Sequence, residues 1–291
     1  MLSTNLKSLR HLSFYNKFVF LSPIITSLLV IVTIISLSNG AVSTTYQETF
    51  NYIFSFVLSS GEIDPIKEKV ISNIRLPRII LSILVGASLA VSGASLQGIF
   101  KNPMADPGII GVSSGAAVGA VIILSLGLAS YSILMIPIFS FIGGLAAAFI
   151  VFLISRLASN SSSSSFILSG LAVSTFLNSI ISLIILSSKK FGELTSILNW
   201  LAGGFQDTRW EHVYMTFPII LLTLPLLMIY SNKINILSLS DDSAKSLGLN
   251  VNKDKLIILI LATLVTSVSV AVSGILAFVG IMIPHITRLL V

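Results

Sequence analysis

Along the chain, apolar runs long enough to cross a bilayer alternate with short polar interruptions, and that alternation predicts an all-α membrane protein. A membrane helix needs about 20 apolar residues, and on that measure about seven spans are present. They cover residues 18–37, 79–100, 109–128, 132–155, 166–186, 213–230 and 256–283. No charge occurs between Asp106 and Arg156. That stretch is too long for one helix, and Gly127 and Pro137 divide it. The serine run at 159–165 reads as a loop. Residues 187–212 form a polar segment in which Trp200 and Trp210 have the placement of interfacial aromatics. Pro218 and Pro225 should kink the sixth span. In the polar stretch 231–255, Ser240 is a good N-cap, Asp241 and Asp242 suit a first helical turn, and Gly248 suits a stop. A short amphipathic helix outside the membrane follows from these four positions.

Composition agrees. Apolar residues make up 54% of the chain and charged residues only 10%, against about a quarter charged in a soluble domain. The bilayer must be its solvent. The net charge of +6 sits singly in short loops, which indicates membrane topology and not nucleic-acid binding. Basic residues divide almost evenly between the two sides. The flank Lys7, Arg10 and Lys17 before the first span puts the N-terminus in the cytoplasm. The first apolar run is long enough to span, so it reads as an uncleaved helix and not a signal peptide. The chain has no cysteine, which removes disulfides and thiolate sites. Three separated histidines form no metal-ligand pattern, so neither metal nor cofactor is expected.

Small residues concentrate in the second and third spans. Gly86, Gly93 and Gly98 mark the former, and Gly111, Gly115 and Gly119 the latter. Such surfaces allow close helix approach in lipid. Between these spans Gln97, Asn102 and Pro103 belong to a turn, either simply solvated or structured near a gate or partner. Arg75 and Arg78 flank Pro77 and, three apart, should share one helix face. They serve either as interfacial snorkelling groups or as a dock for an acidic partner.

Ala90-Val91-Ser92-Gly93 recurs as Ala271-Val272-Ser273-Gly274, with Pro103 and Pro284 at the same offset. The two copies lie in spans of opposite sense, the mark of an inverted repeat. A single transmembrane domain over 1–291 would then hold a first repeat at about 70–190 and the start of a second at about 251–291. The second unit stops early, so the chain is expected to be short by about three spans. It has no G-x-x-x-x-G-K-[ST] phosphate loop, so it does not hydrolyse ATP by that route. Nor are ionisable groups buried mid-helix as an ion-coupled carrier needs.

Six segments carry a family resemblance: R-L-P-R at 75–78, G-A-S-L-A-V-S-G at 86–93, Q-G-I-F-K-N-P-M-A-D-P at 97–107, G-V-S-S-G-A at 111–116, S-L-G-L-N-V at 246–251 and G-I-L-A-F-V-G-I-M-I-P-H-I-T-R at 274–288. In order and spacing the chain resembles the permease subunits of iron-siderophore, haem and cobalamin ABC importers. The resemblance implies a ten-helix inverted-repeat architecture and a multi-pass subunit of the bacterial cytoplasmic membrane. It also implies a second permease subunit, two cytoplasmic ATPase subunits and an extracytoplasmic substrate-binding protein. By the same resemblance Arg75 and Arg78 receive acidic residues of the binding protein. Ser240, Asp241, Asp242, Ser243, Ala244, Lys245, Ser246, Leu247 and Gly248 form the ATPase coupling loop, and Ser163 and Ser164 fall at a cytoplasmic gate. An ion-coupled carrier, or a non-transporting remnant, is the alternative.

Overall fold

Helix α1 (Leu2–Ser38) carries the first apolar run, and its side chains from Phe18 to Ile35 are largely exposed, as lipid-facing residues must be. The computed structural model describes residues 2–40, 42, 45–47, 49, 64–157, 163–188 and 190–290, without the side chains of 2–16 and 163. Among these residues every regular element is helical, and six helices are long and apolar enough to cross a membrane. The chain divides into two compact units, Met1–Ile80 with His285–Val291, and Leu81–Pro284.

In the first unit, α2 (Pro65–Val70) starts on Asp64, whose Oδ1 accepts the Ile66 N–H at 2.9 Å. It runs through a π-helical turn (Ile71–Arg75) into α3 (Leu76–Phe100). The turn has a local cause. Pro77 supplies no N–H and crowds the carbonyl one turn back. The wider register, with Leu76 N–H donating to Ile71 O, accommodates it. Leu37, Ile71 and Ile79 form a small core here with Leu76. The two arginines around Pro77 differ in exposure. Arg75 is buried and Arg78 exposed.

The second unit takes α3 from Leu81 onward, α4 (Val112–Ser125), α5 (Met135–Leu157), α6 (Ser163–Ser187), α7 (Phe191–Ala202), α8 (Trp210–Ile229), α9 (Ser231–Leu239), α10 (Asp241–Ser246), α11 (Val251–Ser273) and the part of α12 (Val279–Leu290) up to Pro284. Its core gathers on α11, where Ile258, Ala262, Val265 and Val268 are fully buried against side chains of α5 and α8. Helices α4 and α5 approach closely and antiparallel. A Cβ on Gly115 would lie 2.3 Å from Gly143 O, and one on Gly119 would lie 2.2 Å from Phe139 O. A similar contact joins Gly93 of α3 to Gly280 of α12, 2.0 Å from such a Cβ to the carbonyl oxygen.

Two predicted spans and one predicted polar segment come out differently. The third is shortened to α4, with single 3-10 turns at Pro107–Ile110 and Leu128–Ser130 taking up the rest. The seventh is broken: α11 ends at Ser273, Gly274 and Phe278 have φ of 65° and 67°, and α12 begins at Val279. The break is closed from outside, because Gly204 N–H donates to Ser273 O at 2.7 Å. The polar segment 187–212 contains a helix, α7, whose half-buried Trp200 packs beside Ile181 and Ile197. The echoed Ala-Val-Ser-Gly segments therefore have different outcomes. Helix α3 continues past Gly93, whereas α11 stops at Gly274, and Pro103 lies in a turn while Pro284 lies inside α12. Their opposite sense does hold, since Ser92 Oγ meets Thr266 Oγ1 at 2.7 Å while Lys101 after α3 and Lys255 early in α11 reach the same carboxylate.

Because the Gly115 contact is with backbone, Gly115→Ala forces α4 from α5 and should destabilise the fold by about 1–3 kcal/mol. Gly86, with nothing within 4 Å of an added Cβ, is the control, and Gly86→Ala should be neutral or mildly stabilising in a thermal-denaturation assay in detergent.

Candidate functional site

The predicted extramembrane helix exists as α10, and its ends are capped as the residues suggest. Ser240 Oγ accepts the Ser243 N–H at 2.9 Å. Asp241 and Asp242 occupy the first turn and Lys245 the last, matching the helix dipole. At the far end Gly248 (φ 82°) donates to Lys245 O at 2.9 Å and Leu249 to Ala244 O at 3.0 Å, a Schellman stop. Ala244 is fully buried and anchors the helix to the core, while Lys245, Ser246 and Leu247 are exposed.

Asp241 ties this helix to two others. Its Oδ1 accepts from Lys101 Nζ at 2.7 Å, and Lys255 Nζ contacts Oδ1 and Oδ2 at 3.0 and 2.8 Å. Hydrogen bonds from Lys101 and then Lys255 hold its carboxyl below the usual carboxylate range. Lys101 has φ of 53°, a conformation that favours glycine. A lysine there is explained by its ammonium, which must reach Asp241. Next to this cluster Lys233 of α9 bonds Asp254 of α11 at 2.7 Å and lies 4.7 Å from the Tyr230 ring centroid. The bond to Asp254 raises the Lys233 pKa. The backbone of α3 comes close enough here that a Cβ on Gly98 would collide with Ile234 Cγ2 at 2.4 Å.

The turn after α3 is ordered from within. Asn102 N–H donates to Gln97 O at 3.2 Å, Asn102 Oδ1 accepts Met104 N–H at 2.9 Å, and Asp106 Oδ1 caps the following 3-10 turn through Gly108 N–H at 2.7 Å. Burial raises the Asp106 pKa, against the lowering by Gly108. Gln97 is buried and donates to Gly280 O at 3.3 Å, so it joins α3 to α12. Pro103 is exposed.

At the other end of α11 a cleft of about 380 Å³ opens between α7 and α8, lined by Asn199, Trp200, Gln206, Asp207, His212 and Ser273. His212 Nδ1 accepts the Arg209 N–H at 3.1 Å. Buried Thr208 has a hydroxyl that finds no hydrogen-bond partner among the described residues. Among those residues no cluster of His, Asp or Glu could hold a metal.

The remaining predicted residues lie elsewhere. The Arg75 guanidinium is buried and donates to Leu37 O and Val42 O. Ser164 is exposed near the start of α6, and the side chain of Ser163 lies outside the described residues. Sequence reasoning missed Lys101 and Lys255 as anchors. They lie 140 and 14 residues from Asp241, and no local pattern links Lys101 to it.

Lys101→Gly relieves the backbone but removes one strut, so global stability should change by less than about 1 kcal/mol. Amide exchange in α10 should nevertheless quicken several-fold. Because the Asp241 pKa is depressed, its grip is complete above the unfolded carboxylate value and is lost as pH falls through the folded one. Intrinsic-rate-corrected exchange in α10 should therefore be flat between pH 5 and 8 and rise only below about pH 4.

The family model described as the FecCD transport family matches residues 28–291. The permease protein YvrB of Bacillus subtilis, an uncharacterized ABC transporter permease, is 41% identical over 269 residues, 91% of this chain and 76% of that protein. The Fe(3+) dicitrate transport system permease protein FecC of Escherichia coli is 33% identical over 236 residues, 79% and 69% of the two chains. A solved inward-facing conformation of a metal-chelate type ABC transporter aligns with TM-score 0.77 at 35% identity, covering 91% of this chain and 79% of that one.

Proposed function

Because the chain belongs to the FecCD transport family, and is thereby an ABC importer permease of the cytoplasmic membrane, we propose that its cargo is a ferric siderophore or a related haem- or cobalamin-type chelate. The iron and metal-chelate relatives support that cargo class. ATP hydrolysis belongs to two cytoplasmic partner subunits, and this chain pairs with a second permease and receives cargo from an extracytoplasmic binding protein.

The observation that carries the mechanism is the Asp241 junction. Residues 240–248 present an exposed, double-capped helix to an ATPase subunit, and Asp241 joins that helix to α3 and α11 at once. A push on α10 then moves both transport helices as one body. The end bearing Lys101, Arg156, Lys233, Lys245, Lys253 and Lys255 is the cytoplasmic one by the positive-inside rule, with Lys190 and Arg209 opposite. On this reading the N-terminus is cytoplasmic, the cleft beside His212 opens outward, and Ser163 and Ser164 belong to the inner gate. Gln97, Asn102 and Pro103 shape the turn that keeps Lys101 in place. Arg78 receives an acidic residue of the binding protein, while Arg75 fixes the segment that presents it.

In the reconstituted importer, Arg78→Glu should cut stimulation of ATPase activity by the binding protein about tenfold, with Arg78→Lys retaining most of it, a change of the size expected for one interfacial charge. Stimulation unaltered by Arg78→Glu would remove the docking role. Asp241→Asn should lower cargo imported per ATP hydrolysed, and an unchanged ratio would remove the coupling role.

A further inference from the structure

Helices α5 and α11 enclose an apolar groove of about 300 Å³ that is separate from the cleft and from the Asp241 junction. Its walls are Phe149 and Phe152 of α5 and Leu256, Leu259 and Ile260 of α11, and Thr263 supplies the one hydroxyl. Phe149 and Ile260 are 60% and 49% exposed, so the groove is open on its outer side.

The cytoplasmic end of this groove carries two cations. Arg156 follows Phe152 by one turn, and its guanidinium carbon lies 4.5 Å above the Phe152 ring centroid. Lys253 precedes Leu256 by one turn on α11. The helices are antiparallel, with Gly144 facing Ser267 at 3.1 Å from an added Cβ. About three turns along α5 from Gly144 and about four back along α11 from Ser267 bring Arg156 and Lys253 to within about 3 Å of the same level, the rise of a residue pair. Both are exposed, and among the described residues neither is paired with a carboxylate. The nearby Asp241 and Asp254 are already engaged by Lys101, Lys255 and Lys233.

We propose that this groove is a binding site for an anionic phospholipid of the cytoplasmic leaflet. One acyl chain lies along Phe149, Phe152, Leu256 and Ile260, and the phosphate is held between Arg156 and Lys253. An acyl chain matches a lining that offers almost no polar atom, and a headgroup phosphate matches two unpaired cations at the groove's end. Stacking on Phe152 holds the Arg156 guanidinium at headgroup height, where it has little conformational freedom left to lose. The site depends only on the placement of that end at the cytoplasmic surface and not on the cargo.

The test uses the assembled transporter in detergent, exchanged against phosphatidylglycerol or phosphatidylcholine of the same chain length, with retained lipid counted by native mass spectrometry. Wild type should retain phosphatidylglycerol about tenfold better, and Arg156→Gln with Lys253→Gln should reduce that preference to near parity. Ile260→Trp, which fills the groove, should lower retention of both lipids. The chain has no cysteine, so Ile260→Cys takes a single fluorophore that brominated phosphatidylglycerol should quench. Equal retention of the two lipids by wild type, or a preference unaffected by the double variant, overturns the proposal. A fluorophore that brominated lipid cannot reach does so as well, because it shows another polypeptide surface covering the groove.

Discussion

Helices in lipid gain nothing from hiding apolar surface from one another, because the hydrocarbon around them is just as apolar. What remains is contact at van der Waals range, and here that contact depends on glycine. At Gly115 with Gly143, and at Gly93 with Gly280, the added carbon of an alanine would fall within 2.3 Å of a carbonyl oxygen. Those approaches draw α4 onto α5 and α3 onto α12. Hydroxyls supplement them. Ser92 and Thr266 bond across α3 and α11 inside the bundle, where each would otherwise be an unmet polar group.

Close packing also determines where the helix ends emerge. With α3 and α11 held antiparallel, the C-terminal end of one and the N-terminal end of the other meet at the same surface. Lys101 and Lys255 are thereby brought to Asp241. Exposed ion pairs contribute little stability individually, and the side chain of Asp241 is 43% exposed. Its value is geometric. One carboxylate shared by two lysines gives a six-residue helix a defined position on two long ones.

Much of the site was legible locally because caps are local. Ser240, the two aspartates and Gly248 announce α10 within nine positions, and each residue type does the job its chemistry suggests. The small-residue series in the second and third spans announced close packing in the same way. Arg75 shows where local reading ends. Its partners are the carbonyls of Leu37 and Val42, 38 and 33 residues earlier in the chain, and no spacing around Arg75 predicts them. Trp200 is similar, since nothing local to a polar segment announces the packing that Ile181 offers it from a neighbouring helix.

Hydropathy and residue type by themselves determined that this chain is a helical membrane protein, roughly where its spans run, and that a capped helix lies outside them, because burial in hydrocarbon and capping depend on residues a few positions apart. The break at Gly274, the partners of Arg75 and the union of Lys101, Asp241 and Lys255 were decided only in the tertiary structure. Each depends on what a distant segment presents: a Gly204 amide to receive the Ser273 carbonyl, the end of α1 to offer its Leu37 carbonyl to Arg75, and two antiparallel helices to deliver their lysines to one carboxylate. Pairings set by packing across such separations leave no periodic trace along the chain.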